Sequence, residues 1–381
     1  MNYQKRLETV QKAMAKKGYD GFFLAMSSDL QYLTGVLRQP HNPTDDDKHG
    51  DELYGAFITP EQGPIFLAPR MGASEYVQSQ AEDKPWIEDI VVIDDGDDLD
   101  KVTRDILKKV GNPKRLAVND RLWARSMFRF RQTDNSMEFG NASEIIAPLR
   151  AVKDEHELAL MREAGSRTDQ IFGAVIKQIR LGMTAYDIAR EVNHQMVLHG
   201  CTAGPSFHTG VYVNGEGLRK HTTPDGRSVT PVQPGAVVTF DFGVIYKGYV
   251  SDFGRTVFVE TISDKYQKFH DLVMESQAQA IAAMKCGQVS AAELNRIARK
   301  VIEDGGYGEY FTHRLGHGIG IDVHEPPFLY EQDDTVLATG MCFTIEPSIM
   351  ETAEIRVEDV VQVTEHGGVA LTDFSRDYLV I

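Results

Sequence analysis

Two carboxylates stand inside a stretch otherwise suited to a buried β-hairpin. In "VVTFDFGVIYKGYVSDFGRTVF", Val237 to Phe258, Asp241 and Asp252 interrupt runs of β-branched and aromatic residues. Such runs favour a pleated, half-buried surface, where an ionised acid without a partner is costly. A two-residue turn at Tyr246-Lys247 sets Asp241 directly opposite Asp252. Facing carboxylates repel unless one is protonated or a cation sits between them. A glycine bulge at Gly248 would change that register. A solvated face is the plainer alternative, but apolar residues surround both acids.

Further acids follow. Glu346 ends the apolar run "MCFTI" and precedes Pro347. In "EIRVEDVVQV" a period of two puts Ile355, Val357, Asp359 and Val361 on one face, with Arg356 and Glu358 on the other. Arg356 can neutralise one carboxylate. The stretch "GHGIGIDVHEPP", Gly316 to Pro327, carries His317 and His324 among three glycines. Each glycine costs a helix interior about 1 kcal/mol, so the segment is read as non-helical. Four acids (Asp241, Asp252, Glu346, Glu358) and the imidazole of His317 suit two divalent cations, whose charge they balance. An oxygen-rich set with one nitrogen favours Mn²⁺, or Fe, Co or Zn by availability. Paired cations lower the pKa of a water and polarise a carbonyl, which is the chemistry of amide hydrolysis.

The rest of the chain sets limits. Its 381 residues suffice for two domains. A net charge of −16 argues against nucleic acid and anionic membranes as partners, because both need clustered Lys and Arg. No apolar run is long enough for a membrane span, and the start lacks a secretory h-region. Three scattered cysteines (Cys201, Cys286, Cys342) read as reduced thiols of a cytoplasmic protein.

Residues 1–148 alternate helix and strand patterns, an α/β arrangement: a helix over Tyr3 to Lys17, a strand in "DGFFLAM", a hairpin in "YGAFITPEQGPIFLAP". The loop "PHNPTDDDKHGDE", Pro40 to Glu52, is either a solvated loop or a lid or subunit contact. Residues 149–381 differ in texture. A long helix spans Glu155 to Ile179, and "GMTAYDIAREV" and "GQVSAAELNRIARKV" align at an offset of 106 residues, Thr184 with Ser290 and Gly200 with Gly306. Thr184 with Asp187, and Ser290 with Glu293, form capping boxes. The matched order suggests an internal duplication, an arrangement that commonly places the site between the halves.

The strings "FDFGVIYKGYVSDFGRT", "HRLGHGIGIDVHEPP", "FTIEP" and "RVEDVVQVTEHG" resemble the creatinase/prolidase/methionine-aminopeptidase superfamily. The match covers the whole chain and is best from Ala151 onward, and the N-terminal part is similar to the prolidase and aminopeptidase P branch. The resemblance implies an α+β protein: a pita-bread catalytic domain over 149–381 behind an α/β creatinase-like domain over 1–148. By it Asp241 holds the first metal, Asp252 and Glu358 bridge both, and His317 and Glu346 complete the second. Glu346 is also the general base, His221 and His324 contact the scissile amide and the developing oxyanion, and Arg356, which can neutralise one of the acids, is counted with them as a catalytic residue. His208 and His313 keep a structural reading. The implied substrate is a short peptide cleaved at its Xaa-Pro bond, and the implied assembly is a homodimer. Creatinase-like hydrolysis or a dimethylsulfoniopropionate lyase is the alternative on the same fold. Four departures fall around the substrate pocket of that family pattern: Gly254 for threonine, Met350 for tyrosine, a short segment between the glutamates, and no proline before His221.

Overall fold

The computed structural model describes residues 1–38, 48–202, 209–223 and 228–381. The chain divides into two compact units, Met1–Arg150 and Ala151–Ile381.

In the first unit a six-stranded sheet has the order β4-β3-β2-β1-β5-β6. Its strands are β1 (Gly21–Ala25), β2 (Gly55–Ile58), β3 (Ile65–Pro69), β4 (Asp89–Ile93), β5 (Arg115–Val118) and β6 (Glu138–Asn141). Only β1–β2 and β2–β3 are antiparallel. The helices are α1 (Tyr3–Lys17), α2 (Ser28–Thr34), α3 (Glu75–Ala81), α4 (Leu99–Lys109), α5 (Ala124–Thr133) and α6 (Ser143–Ala151). Asn2 caps the first and Gly18 ends it in a left-handed conformation, so its bounds follow local chemistry. Phe23, Phe57 and Phe130 meet edge-on or tilted in the core. Residues 40–47 of the Pro40–Glu52 loop lie outside the described residues. At its end Glu52 is fully buried and pairs with Arg129 Nε at 2.7 Å.

The second unit is organised around a nine-stranded sheet whose main path is β13-β12-β14-β17-β11-β8-β7. Its strands are β7 (Gly210–Asn214), β8 (Val237–Phe242), β9 (Ile245–Tyr246), β10 (Tyr249–Val250), β11 (Phe253–Phe258), β12 (Gly316–Gly318), β13 (Glu325–Leu329), β14 (Cys342–Ile345), β15 (Ser348–Met350), β16 (Glu354–Arg356), β17 (Glu358–Val363), β18 (Gly368–Ala370) and β19 (Leu379–Val380). Of these, β9 pairs with β10 and β15 with β16 outside the main sheet. Two helix pairs pack against it: α7 (Glu155–Ile176) with α8 (Ala185–Leu198), and α9 (Asp264–Ala283) with α10 (Ala291–Asp304). The first pair shares a core with Phe240, Phe242, Phe253 and Val257, the second with Phe343, Ile345, Val361 and Val363.

The internal repeat has a structural counterpart. Thr184 caps α8 in a full capping box with Asp187, while Ser290 caps α10 by accepting from the Glu293 N–H. Both caps also sit in isolated antiparallel bridges, Thr184 to Pro231 and Ser290 to Val336. The helix read to Ile179 ends at Ile176, after a capping box between Asp154 and Glu157 at its start.

The hairpin register differs from the expected one. The turn is Lys247-Gly248, both at positive φ (47° and 82°), because a turn of that hand matches the twist of the flanking strands. Tyr246 pairs with Tyr249, and Asp241 lies opposite Gly254 rather than Asp252. The slip moves the pairing by two residues, and side-chain direction repeats every two, so both acids still point to one face.

Candidate metal centre

Alternation along three strands, β8, β14 and β17, explains why acids gather on one side of the sheet. Phe240, Phe242, Phe343, Ile345, Val361 and Val363 point into the helix-covered core. Their alternates Asp241, Thr344 and Glu358 therefore face the other way. Oxygens of Asp241, Asp252 and Glu358 lie within 4.8 Å of one another. His317, at a bulge in the β12–β13 pairing, turns its Nε2 to Glu346 Oε1 at 3.4 Å and Asp252 Oδ2 at 3.6 Å. Its Nδ1 is 3.0 Å from the Gly318 carbonyl and so carries the proton, leaving the Nε2 lone pair for a cation.

Gly254 occupies the middle of this cluster. It is in register with Asp241 on one flanking strand and with Glu358 on the other. A Cβ there would lie 2.7 Å from Glu358 Oε2 and 2.7 Å from Arg356 Cδ. The absent side chain lets the carboxylates of β8 and β17 approach across β11. The sequence reading assigned this departure to the substrate pocket; the register places it among the acids instead.

Arg356 is the counter-cation. Its Nη1 lies 2.7 Å from Asp241, 3.1 Å from Glu346 and 3.2 Å from Glu358, while Nε bonds Glu354 at 2.7 Å. Burial alone would lower its pKa, but Glu358, Asp241 and Glu346 hold the guanidinium protonated. The same burial drives the acids upward. Asp252 is raised well above the ordinary range, by burial and then Asp241, and Glu358 by burial and then Asp252. Glu346 is pushed up to about 7 by burial, against the pull of Arg356. Burial and then His324 take His317 down to about 3.

These shifts give the metal-free protein a pH signature. A carboxyl whose folded pKa exceeds its unfolded value stabilises the fold below the unfolded value and stops doing so as pH rises through the folded one. For Glu346 that interval runs from 4.5 to about 7. His317 and His313, lowered from 6.5, act in the opposite sense, but only below 6.5. The unfolding midpoint of chelator-treated protein is therefore expected to fall between pH 6.5 and 8, by more than that of metal-loaded protein. Parallel melting curves at the two pH values check this, and a rising metal-free midpoint contradicts it.

A cavity of about 630 Å³ opens on the cluster, lined by Asp241, His317, Glu346 and Arg356 together with Arg314, His324, Phe328 and Tyr330. Asp252 and Glu358 are 3% and 1% exposed and lie beneath it. The His324 ring centroid is 4.1 Å from that of His317, so the glycine-rich segment does bring the two imidazoles together. His313 also reaches the cavity, with Nε2 held by Ser348 at 2.6 Å. His221 is not brought there: it is exposed, and its backbone bonds Thr230 and Val229. His208 lies outside the described residues. Sequence reasoning missed Glu354 and Arg314. Glu354 was within reach, since it shares a strand face with Arg356. Arg314 was not, because an irregular segment has no period from which to read direction.

The decisive comparison is with protein families. Residues 159–365 match the model of metallopeptidase family M24, and residues 6–152 match the creatinase/prolidase N-terminal domain. The chain belongs to metallopeptidase family M24. Family M24 relatives include an Xaa-Pro dipeptidase of Lactobacillus delbrueckii subsp. lactis, 32% identical over 380 residues and 98% of each chain. Another is an Xaa-Pro dipeptidase of Pyrococcus furiosus, 30% identical over 99% of this chain and 100% of the relative. The crystal structure of a recombinant prolidase from Thermococcus sibiricus matches with a TM-score of 0.85 at 29% identity, covering 100% of both chains. The expected architecture, a creatinase-like N-terminal domain and a pita-bread catalytic domain, holds on these matches. As an M24 member the chain is a metallopeptidase that uses divalent cations. Among the described residues no helix is long and apolar enough to cross a membrane.

Proposed function

We propose that this chain is a binuclear hydrolase of the amide bond before proline, acting on Xaa-Pro dipeptides. The observation that carries the reading is the cluster beside the cavity. In their ionised forms Asp241, Asp252, Glu346, Glu354 and Glu358 set five negative charges against the single guanidinium of Arg356. The remaining four match two dications. Asp241 would hold one ion, His317 and Glu346 the other, with Asp252 and Glu358 shared. The His317–Glu346–Asp252 grouping and the three-carboxylate grouping, which have Asp252 in common, support that division, and the sharing by Glu358 rests on the family resemblance. Oxygen donors with one imidazole favour Mn²⁺. When bound, such a pair lowers the pKa of a water and polarises the scissile carbonyl.

The chain's own groups do the rest. Glu346 Oε takes a proton from the attacking water and delivers it to the prolyl nitrogen, which leaves as a secondary amine. A buried carboxyl shifted toward neutrality is suited to both transfers. Arg356 keeps Asp241 and Glu346 oriented. His324 donates an N–H toward the oxygen that gains charge, a stabilisation available only in the transition state. His221 retains a substrate contact on the family resemblance alone. A prolyl amide has no N–H, so the site has no backbone donor to satisfy at the bond it cuts. The relatives are peptidases by name, which leaves the creatinase-like and lyase chemistries without support. A homodimer and a cytoplasmic location complete the proposal. The free thiols of Cys201, Cys286 and Cys342 favour that location, and light scattering on purified protein tests the dimer.

Protein stripped with chelator, reloaded with Mn²⁺ and assayed on Xaa-Pro dipeptides, longer Xaa-Pro peptides and non-prolyl controls tests the reading. Activity should follow metal and favour dipeptides, and Glu346→Gln should lower kcat by ~10²–10⁴-fold. Undiminished dipeptide cleavage after exhaustive chelation would end it.

A further inference from the structure

We infer that the buried ion pair between Lys153 and Glu325 positions His324 beside His317, and so acts on turnover without touching substrate. The inference rests on the peptidase reading above and adds what holds its oxyanion donor in place. His324 is exposed, while the next residue, Glu325, is buried. Lys153 Nζ lies 2.7 Å from Glu325 Oε1, and the two side chains are 2% and 5% exposed. The same ammonium donates to the Ala151 carbonyl at 3.3 Å. Successive Cα atoms are about 3.8 Å apart, so fixing Glu325 fixes the backbone from which the imidazole extends.

The strand ladder alone leaves this stretch loosely registered. His317 pairs with Phe328 and Gly318 with Glu325, so Pro326 and Pro327 fall in the bulge between them. Neither proline has an N–H to add to the ladder, and a bulge disrupts local pairing. Lys153 supplies a fixed reference. Its N–H donates to the Gly340 carbonyl at 3.0 Å, and Val152 bridges Met341, immediately before β14. That strand pairs with β12 through Phe343 and Gly318, so the ammonium ties the His324 segment to the strand that carries His317. Gly320 makes room for the contact: a Cβ there would lie 2.7 Å from Glu325 Oε1 and 2.8 Å from Lys153 Cε. A buried ion pair adds little net stability over apolar side chains of similar volume. What this one adds is geometry.

Metal-loaded wild type, Lys153→Met/Glu325→Leu, Gly320→Ala, His324→Ala and the combined triple variant Lys153→Met/His324→Ala/Glu325→Leu are compared on Met-Pro, with metal content and melting temperature recorded for each. Replacing both charges strands neither, so the double variant should melt near wild type. It should lose roughly 10²-fold in kcat, the cost of moving an oriented group by about 1 Å, with KM and metal content unchanged. Gly320→Ala, which displaces the pair while keeping both charges, should lose kcat in the same pattern. In His324→Ala protein the double replacement should cost less than about twofold more, because its route to the reaction is already cut. A crystal structure of the metal-free double variant should show the His324 ring beyond the 4.1 Å that separates it from His317 in the parent, a readout that needs no turnover. A folded double variant with full kcat overturns the inference, as does an equal loss with and without His324. Metal content that falls in step with kcat also overturns it, making the pair a support of His317 instead. Unchanged kcat in His324→Ala removes the oxyanion donor, and the positioning with it, while leaving cleavage before proline intact. A wild type inert on every Xaa-Pro dipeptide ends the peptidase reading, whereas an undisplaced His324 ring ends the positioning alone.

Discussion

Glu358→Gln is expected to abolish turnover and the shared part of the metal site without weakening the fold. Glu358 is 1% exposed, sits across Gly254 from Asp241 and accepts from Arg356 at 3.2 Å. Glutamine keeps its shape and removes the charge that a second dication would need. The expected loss in kcat/KM is at least ~10³-fold, about 4 kcal/mol of transition-state stabilisation. The metal-free variant should melt no lower than the parent, because the carboxyl it replaces is already driven toward its protonated form by burial and Asp252. The separation between metal-free and metal-loaded melting should shrink, since stabilisation by a ligand at a hundredfold its Kd, about 2.7 kcal/mol, disappears with the affinity. Plasma emission analysis beside calorimetry reads both quantities. Two tightly held ions per chain in the variant would refute the sharing.

Arg255→Met is expected to be the most destabilising single change in the second unit. The side chain is 1% exposed and donates to the carbonyls of Gly254, Glu358, Phe374 and Ser375, and to Asp359 Oδ1 at 2.8 Å. Asp359 is fully buried and also accepts from Gln277, Thr372 and Arg376. Removing the guanidinium leaves several buried acceptors short of a donor and a buried carboxylate short of its inner cation, a loss of roughly 3–5 kcal/mol. For a unit of this size that lowers Tm by ~10 °C. Because Arg255 grips the backbone on both sides of the cluster, metal affinity should fall too, although the residue touches no candidate ligand oxygen. A variant melting within ~2 °C of the parent would show that the network is dispensable.

Both expectations concern residues whose identities were visible in the chain but whose partners were not. Asp359 was placed correctly on the apolar face of its strand by alternation, yet nothing local indicated that Arg255, 104 positions earlier, would meet it. The hairpin shows the same limit at short range. The acids Asp241 and Asp252 were read onto one face, which is a matter of parity. Their register was misjudged by two because the turn depends on whether Lys247 accepts a positive φ beside Gly248. Gly254 looked like a departure in the substrate pocket until β8 and β17 were seen to flank it.

Alternation and burial cost are properties of a few consecutive residues, and from them the chain alone determined which acids need neutralising and on which face they lie. Proximity is a property of strands far apart in the chain. Only the pairing of β8, β11, β17, β14 and β12 into one sheet decided that these acids share a single cluster, that Arg356 serves four carboxylates rather than one, that Arg314 rests on Phe328 at the cavity wall and that His221 stays outside it. Long-range strand order is set by the packing of two helix pairs on a common sheet, and no local pattern encodes the distance that results.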